Sequence, residues 1–91
     1  MSESPKFDAA QAETARAGLR AVARGWPGMA LAISADGRIA GASALSGFTD
    51  GMRAPFDLPT ADIASQIVDK AGRRWRVSAP VAGLRLATAD I

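Results

Sequence analysis

Ninety-one residues allow one small domain, which leaves much of its surface in water and holds one thin core. Cysteine and histidine are both absent, which excludes disulfides, thiolate–metal sites, thiol nucleophiles, the usual haem ligand and the usual general base. The net charge is only +2, arginine supplies nine of the eleven cations and alanine fills 21 positions, a bias that fits a GC-rich genome better than a nucleic-acid surface.

The chain opens on a short segment, residues 1–7, expected to be flexible and lacking the basic and apolar regions of a secretory signal. From Asp8 to Arg24 there is no proline and much alanine, and apolar residues recur at Ala12, Ala15, Leu19, Val22 and Trp26 at helical spacing. Ser4 or Asp8 is positioned to cap this helix, and Gly25-Trp26-Pro27-Gly28 stops it. The stripe Ala12, Ala15, Leu19, Val22 is shallow and near-heptad, which fits a seam between two copies; the competing reading folds the helix back as a lid on its own sheet.

Met29 to Ala35 reads as a strand with Met29, Leu31 and Ile33 on one face. Asp36-Gly37 reads as a two-residue turn, and Arg38 to Ala42 returns as a short second strand, giving a hairpin over 29–42. Glycine and proline break up residues 43–59, read as loop with at most one helical turn and anchored by Phe48, Met52, Phe56 and Leu58. Residues 60–71 carry two readings: a capped helical turn over 60–65 followed by a strand, or a strand running into a turn at Asp69-Lys70-Ala71-Gly72. Arg73 to Ala79 alternates, with Trp75, Val77 and Ala79 inward and Arg74 and Arg76 outward. Pro80 limits pairing, Ala82-Gly83 turns the chain, and Leu84 to Ala89 closes a meander over 64–90. Helix, hairpin, loop and meander make an α+β fold, an antiparallel sheet of about five strands with helical elements on one face and Trp75 anchoring the sheet to a helix.

That order, together with the closing run Asp69-Lys-Ala-Gly-Arg-Arg-Trp-Arg-Val to Asp90-Ile91, resembles the PAS domains, a family of sensor and dimerisation modules related to the Cache sensors. The resemblance implies a compact PAS-like unit over 27–91 and a role in bacterial signal transduction, as in sensor histidine kinases of two-component systems. Two functions follow from it. One is an interaction module that dimerises or recruits a protein partner. The other is an input domain that binds a small molecule without covalent attachment, in a pocket walled by Leu31, Ile33, Phe48, Met52 and Trp75. Ordinary core is the favoured reading of these five, since in so small a chain the same side chains must hold the fold together.

No cofactor or metal is expected: Asp50, Asp57, Asp62 and Asp69 lack the alternate spacing of a calcium loop, and Ser34, Ser43, Ser46 and Ser78 have no base to activate them. The glycines at 41, 47 and 51 are not followed by a phosphate-binding lysine. An enzyme, a nucleic-acid binder and a membrane-inserted segment are therefore all disfavoured, and the expected location is cytoplasmic, or periplasmic for a Cache-type domain.

Overall fold

A computed structural model of the chain describes residues 9–89. One helix, α1 (Ala9–Arg24), precedes five strands: β1 (Met29–Ser34), β2 (Ile39–Ala42), β3 (Ser65–Val68), β4 (Arg74–Val77) and β5 (Leu84–Ala89). The strands form one antiparallel sheet in the order β2-β1-β5-β4-β3. The chain is thus α+β, with the expected N-terminal helix and five-stranded sheet. The proposed caps Ser4 and Asp8 lie outside the described residues.

Alternation along β1 explains why the sheet is covered on both faces. Met29, Leu31 and Ile33 point to one face and join Ile39, Trp75, Val77, Ala87 and Ala89 in the main core. Ala30 and Ala32 point to the other and meet Ala23 of α1, with Leu86 beside them. Alanines at these positions let the helix approach closely, and Gly41 allows the same in β2. A Cβ on Gly41 would stand 3.3 Å from Cα and O of Arg20. A bulge between Ala32 and Ile33 offsets the β1–β2 register, so that Ile39 and Ala42 pair with Ile33 and Leu31 on the core face while Gly41 pairs with Ala32.

The second layer over the main core is not helical. Phe48, Ala54, Phe56 and Leu58 of the β2–β3 connection pack there, and the only helical geometry in this connection is a 3-10 turn at Ala44–Ser46. Trp75 is fully buried, yet it anchors the sheet to this loop layer rather than to a helix: the ring of Phe56 lies 5.5 Å from it, centroid to centroid. The reason is strand parity, since α1 occupies the face opposite Trp75. The helix is therefore the lid of its own sheet, lying over β2, β1 and β5.

The turn at Asp36-Gly37 departs from the expected two-residue form, and the turn read at Asp69-Lys70-Ala71-Gly72 closes in the same way. Ser34 N donates to Arg38 O and Gly37 N to Ser34 O; Asp69 N donates to Arg73 O and Gly72 N to Asp69 O. Each loop therefore has three residues, and positive φ falls only on its glycine, at 83° for Gly37 and 84° for Gly72. In each, an aspartate Oδ1 accepts the amide of the arginine just before the return strand, Arg38 in one and Arg73 in the other.

The helical turn considered for residues 60–65 does not form; the chain bends through 60–63 and enters β3 at Ser65. The guanidinium of Arg85 takes the carbonyls a helical turn would have used. Nη1 donates to Ile63 O and Ser78 O, and Nη2 to Ala61 O at 2.7 Å.

Candidate functional site

The five residues expected to wall one interior pocket do not meet around a shared cavity; Trp75 instead borders a hollow of about 70 Å³ with Gln66, Arg74, Arg76 and Thr88. Leu31, Ile33 and Trp75 are completely buried, with Phe48, Phe56 and Leu58 packed against the cluster they form. Met52 is 45% exposed and its sulfur accepts the amide of Thr49. Phe48 turns one side to an outer cleft.

That cleft, about 1000 Å³ and open to solvent, lies at the end of the sheet where both hairpins turn, against residues 53–58. Half-buried Phe48, Phe56, Leu58 and Ile67 show their outer sides to it while packing inward on the core. Arg53, Lys70 and Arg73 stand along it with the carboxylates of Asp36, Asp57 and Asp69. These charges are unequally engaged. Asp69, with a side chain only 3% exposed, accepts from Trp75 Nε1 at 2.8 Å and from the amides of Ala71 and Arg73, both at 2.9 Å. The Trp75 bond, with the two amides, holds its carboxyl below the usual range although burial opposes this. Asp36 accepts from the Ser34 hydroxyl and the Arg38 amide, which lowers its carboxyl too, the Ser34 bond most. Arg73 reaches Asp69 only at 4.0 Å. Among the described residues, the side chains of Arg53, Lys70 and Asp57 have no hydrogen-bonding or ionic partner.

A second feature lies across the sheet. The helix leaves the outward side of β3 and β4 uncovered, so Gln66, Val68, Arg74 and Arg76 are all exposed, Val68 by 61%. This is the solvated face over a core tryptophan that the Arg73-to-Arg76 alternation predicts. Neither Arg74 nor Arg76 forms an ion pair among the described residues.

No protein-family model, curated protein or solved structure matches the chain.

The helix stripe expected to be a dimer seam is divided. Ala12, Ala15 and Leu19 are half-buried on the protein's own sheet side, whereas Val22 is 46% exposed. Ala23 is the fully buried residue of α1, and Val22 sits about 100° around the helix from it. Glu13 bridges Arg16 and Arg20, both at 3.0 Å, which lowers its carboxyl, the Arg20 bond most. Arg16 in turn donates to Ala82 O in the β4–β5 turn.

Among the remaining aspartates, Asp50 pairs with Arg24 at 2.7 Å and Asp62 lies 3.9 Å from Arg85. No group of three potential metal ligands occurs among the described residues, and no described helix is long and apolar enough to cross a membrane. Sequence reasoning missed Arg85, whose position in an alternating strand reads as solvent-facing, and the partnership of Asp69 with Trp75. The i, i+6 spacing across a glycine turn is the signal that could have found the latter.

Proposed function

We propose that this chain is a PAS-like interaction module of a bacterial signal-transduction protein, and that it holds an acidic protein surface against the uncovered face of β3 and β4. The observation that carries this reading is the pairing of a filled interior with a cationic open sheet face. Leu31, Ile33 and Trp75 are sealed under Phe48, Phe56 and Leu58, so the sheet centre offers no room for a small-molecule signal. On the opposite side Arg74 and Arg76 project from alternate positions of one strand beside Gln66 and Val68. Two guanidiniums without an ion pair among the described residues, set at alternate positions of one strand beside exposed Val68, favour carboxylates and repel a second copy of the same face. The five-stranded antiparallel sheet behind an N-terminal helix agrees with what the PAS resemblance implies, and supports the signalling context.

Self-association through Ala12, Ala15 and Leu19 would require α1 to leave the sheet it packs on, so the partner contact is assigned to the sheet face instead. The test is site-specific photo-crosslinking of the whole protein in its own cells, with the reactive group at position 66 or 68 and, as controls, at 13 and 45. The reading expects adducts to an acidic protein from 66 and 68, lost in an Arg74→Glu/Arg76→Glu variant. Adducts from the control positions alone, or adducts that survive the double charge reversal, overturn it.

A further inference from the structure

We propose that the cleft at the turn end of the sheet is a binding site for an amphipathic carboxylate, a small molecule with an aromatic or fused-ring body and one acidic group. The cleft shares only Val68, at its edge, with the exposed β3–β4 residues, and the groups the proposal uses lie elsewhere, so it does not depend on the interaction reading. Three observations converge on this ligand class. The volume, about 1000 Å³, falls at the upper end of the range of small-molecule sites. Its floor is apolar and rigid: Phe48, Phe56, Leu58 and Ile67 are fixed from behind by the core, with Phe56 against Trp75, so a flat apolar body meets a preformed surface at little ordering cost. The hydrogen-bond donors on its walls are those left over after the protein's own needs are met.

The third point decides the sign of the ligand's charge. Formally the walls balance, Arg53, Lys70 and Arg73 against Asp36, Asp57 and Asp69. Asp69 is buried and saturated by three donors, and Asp36 is held by Ser34 and the Arg38 amide. Among the described residues the cations have no such partners beyond the 4.0 Å approach of Arg73 to Asp69. A carboxylate entering the cleft therefore finds free charge-assisted donors, including guanidiniums suited to two-point contact, whereas an ammonium would find only Asp57. Recognition rests on short-range hydrogen bonds rather than on net field. Asp57, the one carboxylate of the three with no partner among the described residues, acts against the ligand and sets a limit on affinity.

The test is a nuclear magnetic resonance titration of the whole chain with 1-naphthaleneacetate, its neutral amide 1-naphthaleneacetamide, and inorganic phosphate. Saturable amide shifts confined to residues 35–37, 48, 53–58 and 67–73 are expected with the carboxylate, at least tenfold weaker with the amide and absent with phosphate. Arg53→Gln should weaken the carboxylate about tenfold, and Asp57→Asn should tighten it; both residues are exposed, and an unchanged spectrum elsewhere reports that the variants are folded. Equal binding of acid and amide reduces the site to a greasy surface and overturns the proposal. Saturation by phosphate at the same residues, absence of saturable shifts in the wild-type chain, or an Asp57→Asn variant that binds no tighter overturns it as well.

Discussion

The indole Nε1 of Trp75 donates to Oδ2 of Asp69 at 2.8 Å, which ties the largest fully buried side chain to the carboxylate that closes the β3–β4 turn. The same carboxylate accepts the amides of Ala71 and Arg73 through Oδ1. One side chain thus fixes the turn, the register of β3 on β4 and the orientation of the core tryptophan. In so small a core these tasks cannot be separated, because the same ring that the turn carboxylate holds also packs on Phe56 of the loop layer.

Truncating the ring should therefore be close to lethal for the fold. Trp75→Ala removes a fully buried aromatic and its contact with Phe56, at a cost of about 3–5 kcal/mol, comparable with the whole stability of a domain this size. Trp75→Phe keeps the stacking partner but leaves Asp69 without its side-chain donor, so its loss should be intermediate. Urea denaturation followed by circular dichroism checks both. A cooperative transition for Trp75→Ala near the wild-type midpoint would contradict the assignment of Trp75 as the anchor.

The carboxylates give stability a direction in pH. Asp69, held low chiefly by Trp75, Asp36, held low chiefly by Ser34, and Glu13, held low chiefly by Arg20, all carry depressed carboxyl pKa values. A depressed folded-state value means that the unfolded chain binds protons first. Their contribution is present in full above the ordinary carboxylate range and is lost as pH falls through it, below about pH 4. The urea midpoint should be level from pH 7 to about pH 5 and then decline. Asp69→Asn should decline less steeply while starting lower; acid curves of equal steepness for the two proteins would remove Asp69 from the account.

Much of the fold was legible because local chemistry and period agreed. Alanine-rich spacing from Ala9 to Arg24, the alternation around Trp75 and the glycines at 37, 72 and 83 each point to one structure. What escaped lay in the faces. Leu84, Leu86 and Thr88 alternate with Arg85, Ala87 and Ala89, and the usual assignment puts leucine inward and arginine in solvent. β5 is the central strand and is covered on both sides, so leucine meets the helix while Arg85, Ala87 and Ala89 turn to the main core. The cleft was no more readable. Phe48 was singled out as a pocket wall, but Arg53, Lys70 and Arg73 come together only when two hairpin turns and a loop meet in space.

The close approach of α1 to β2 predicts a steric limit at Gly41. A Cβ there already crowds Arg20 backbone at 3.3 Å, and branched methyl groups would force the helix off Ala30 and Ala32. Gly41→Val should cost about 1–3 kcal/mol. Leu19→Glu should also destabilise, whereas Val22→Glu, at an exposed position, should stay within about 0.5 kcal/mol of wild type. If Val22→Glu instead unfolds the chain while Leu19→Glu is silent, the helix packs by a different face.

Turn chemistry offers a gain as well as a loss. Ala82 is the one non-glycine with positive φ among the described residues, at 52°, and Gly83 follows at 84°, a pair suited to Asn-Gly. Left-handed backbone costs an ordinary side chain roughly 1–2 kcal/mol. Ala82→Asn should recover about 0.5–1 kcal/mol and raise Tm by about 2–6 °C, with the Arg16 bond to the carbonyl of residue 82 preserved. Gly37→Val should lose about 1 kcal/mol or more, because a branched side chain resists φ of 83°. A lower Tm for Ala82→Asn would show that the left-handed backbone there carries no strain to relieve.

Arg85 makes the last and most local prediction. Its guanidinium is almost wholly buried on the core face and donates to the carbonyls of Ala61, Ile63 and Ser78, with Pro59 O at 3.5 Å. Three of those acceptors belong to the bend at 59–63, whose own residues are mostly exposed and have little else to hold them. Arg85→Met keeps an unbranched apolar stem and much of its packing but supplies no donors. The freed carbonyls of the bend can be hydrated in place, so the loss should be about 2–3 kcal/mol and should fall first on the bend. Arg85→Lys should not restore it, because a compact ammonium cannot span acceptors on both sides of the planar fork. Limited proteolysis and backbone relaxation across 59–64 are the measurements: both variants should be cut and mobile there at temperatures where β1, β5 and α1 remain protected. Uniform loss of protection across the sheet, or a rigid bend in Arg85→Met, would mean that the loop is held by something other than this guanidinium.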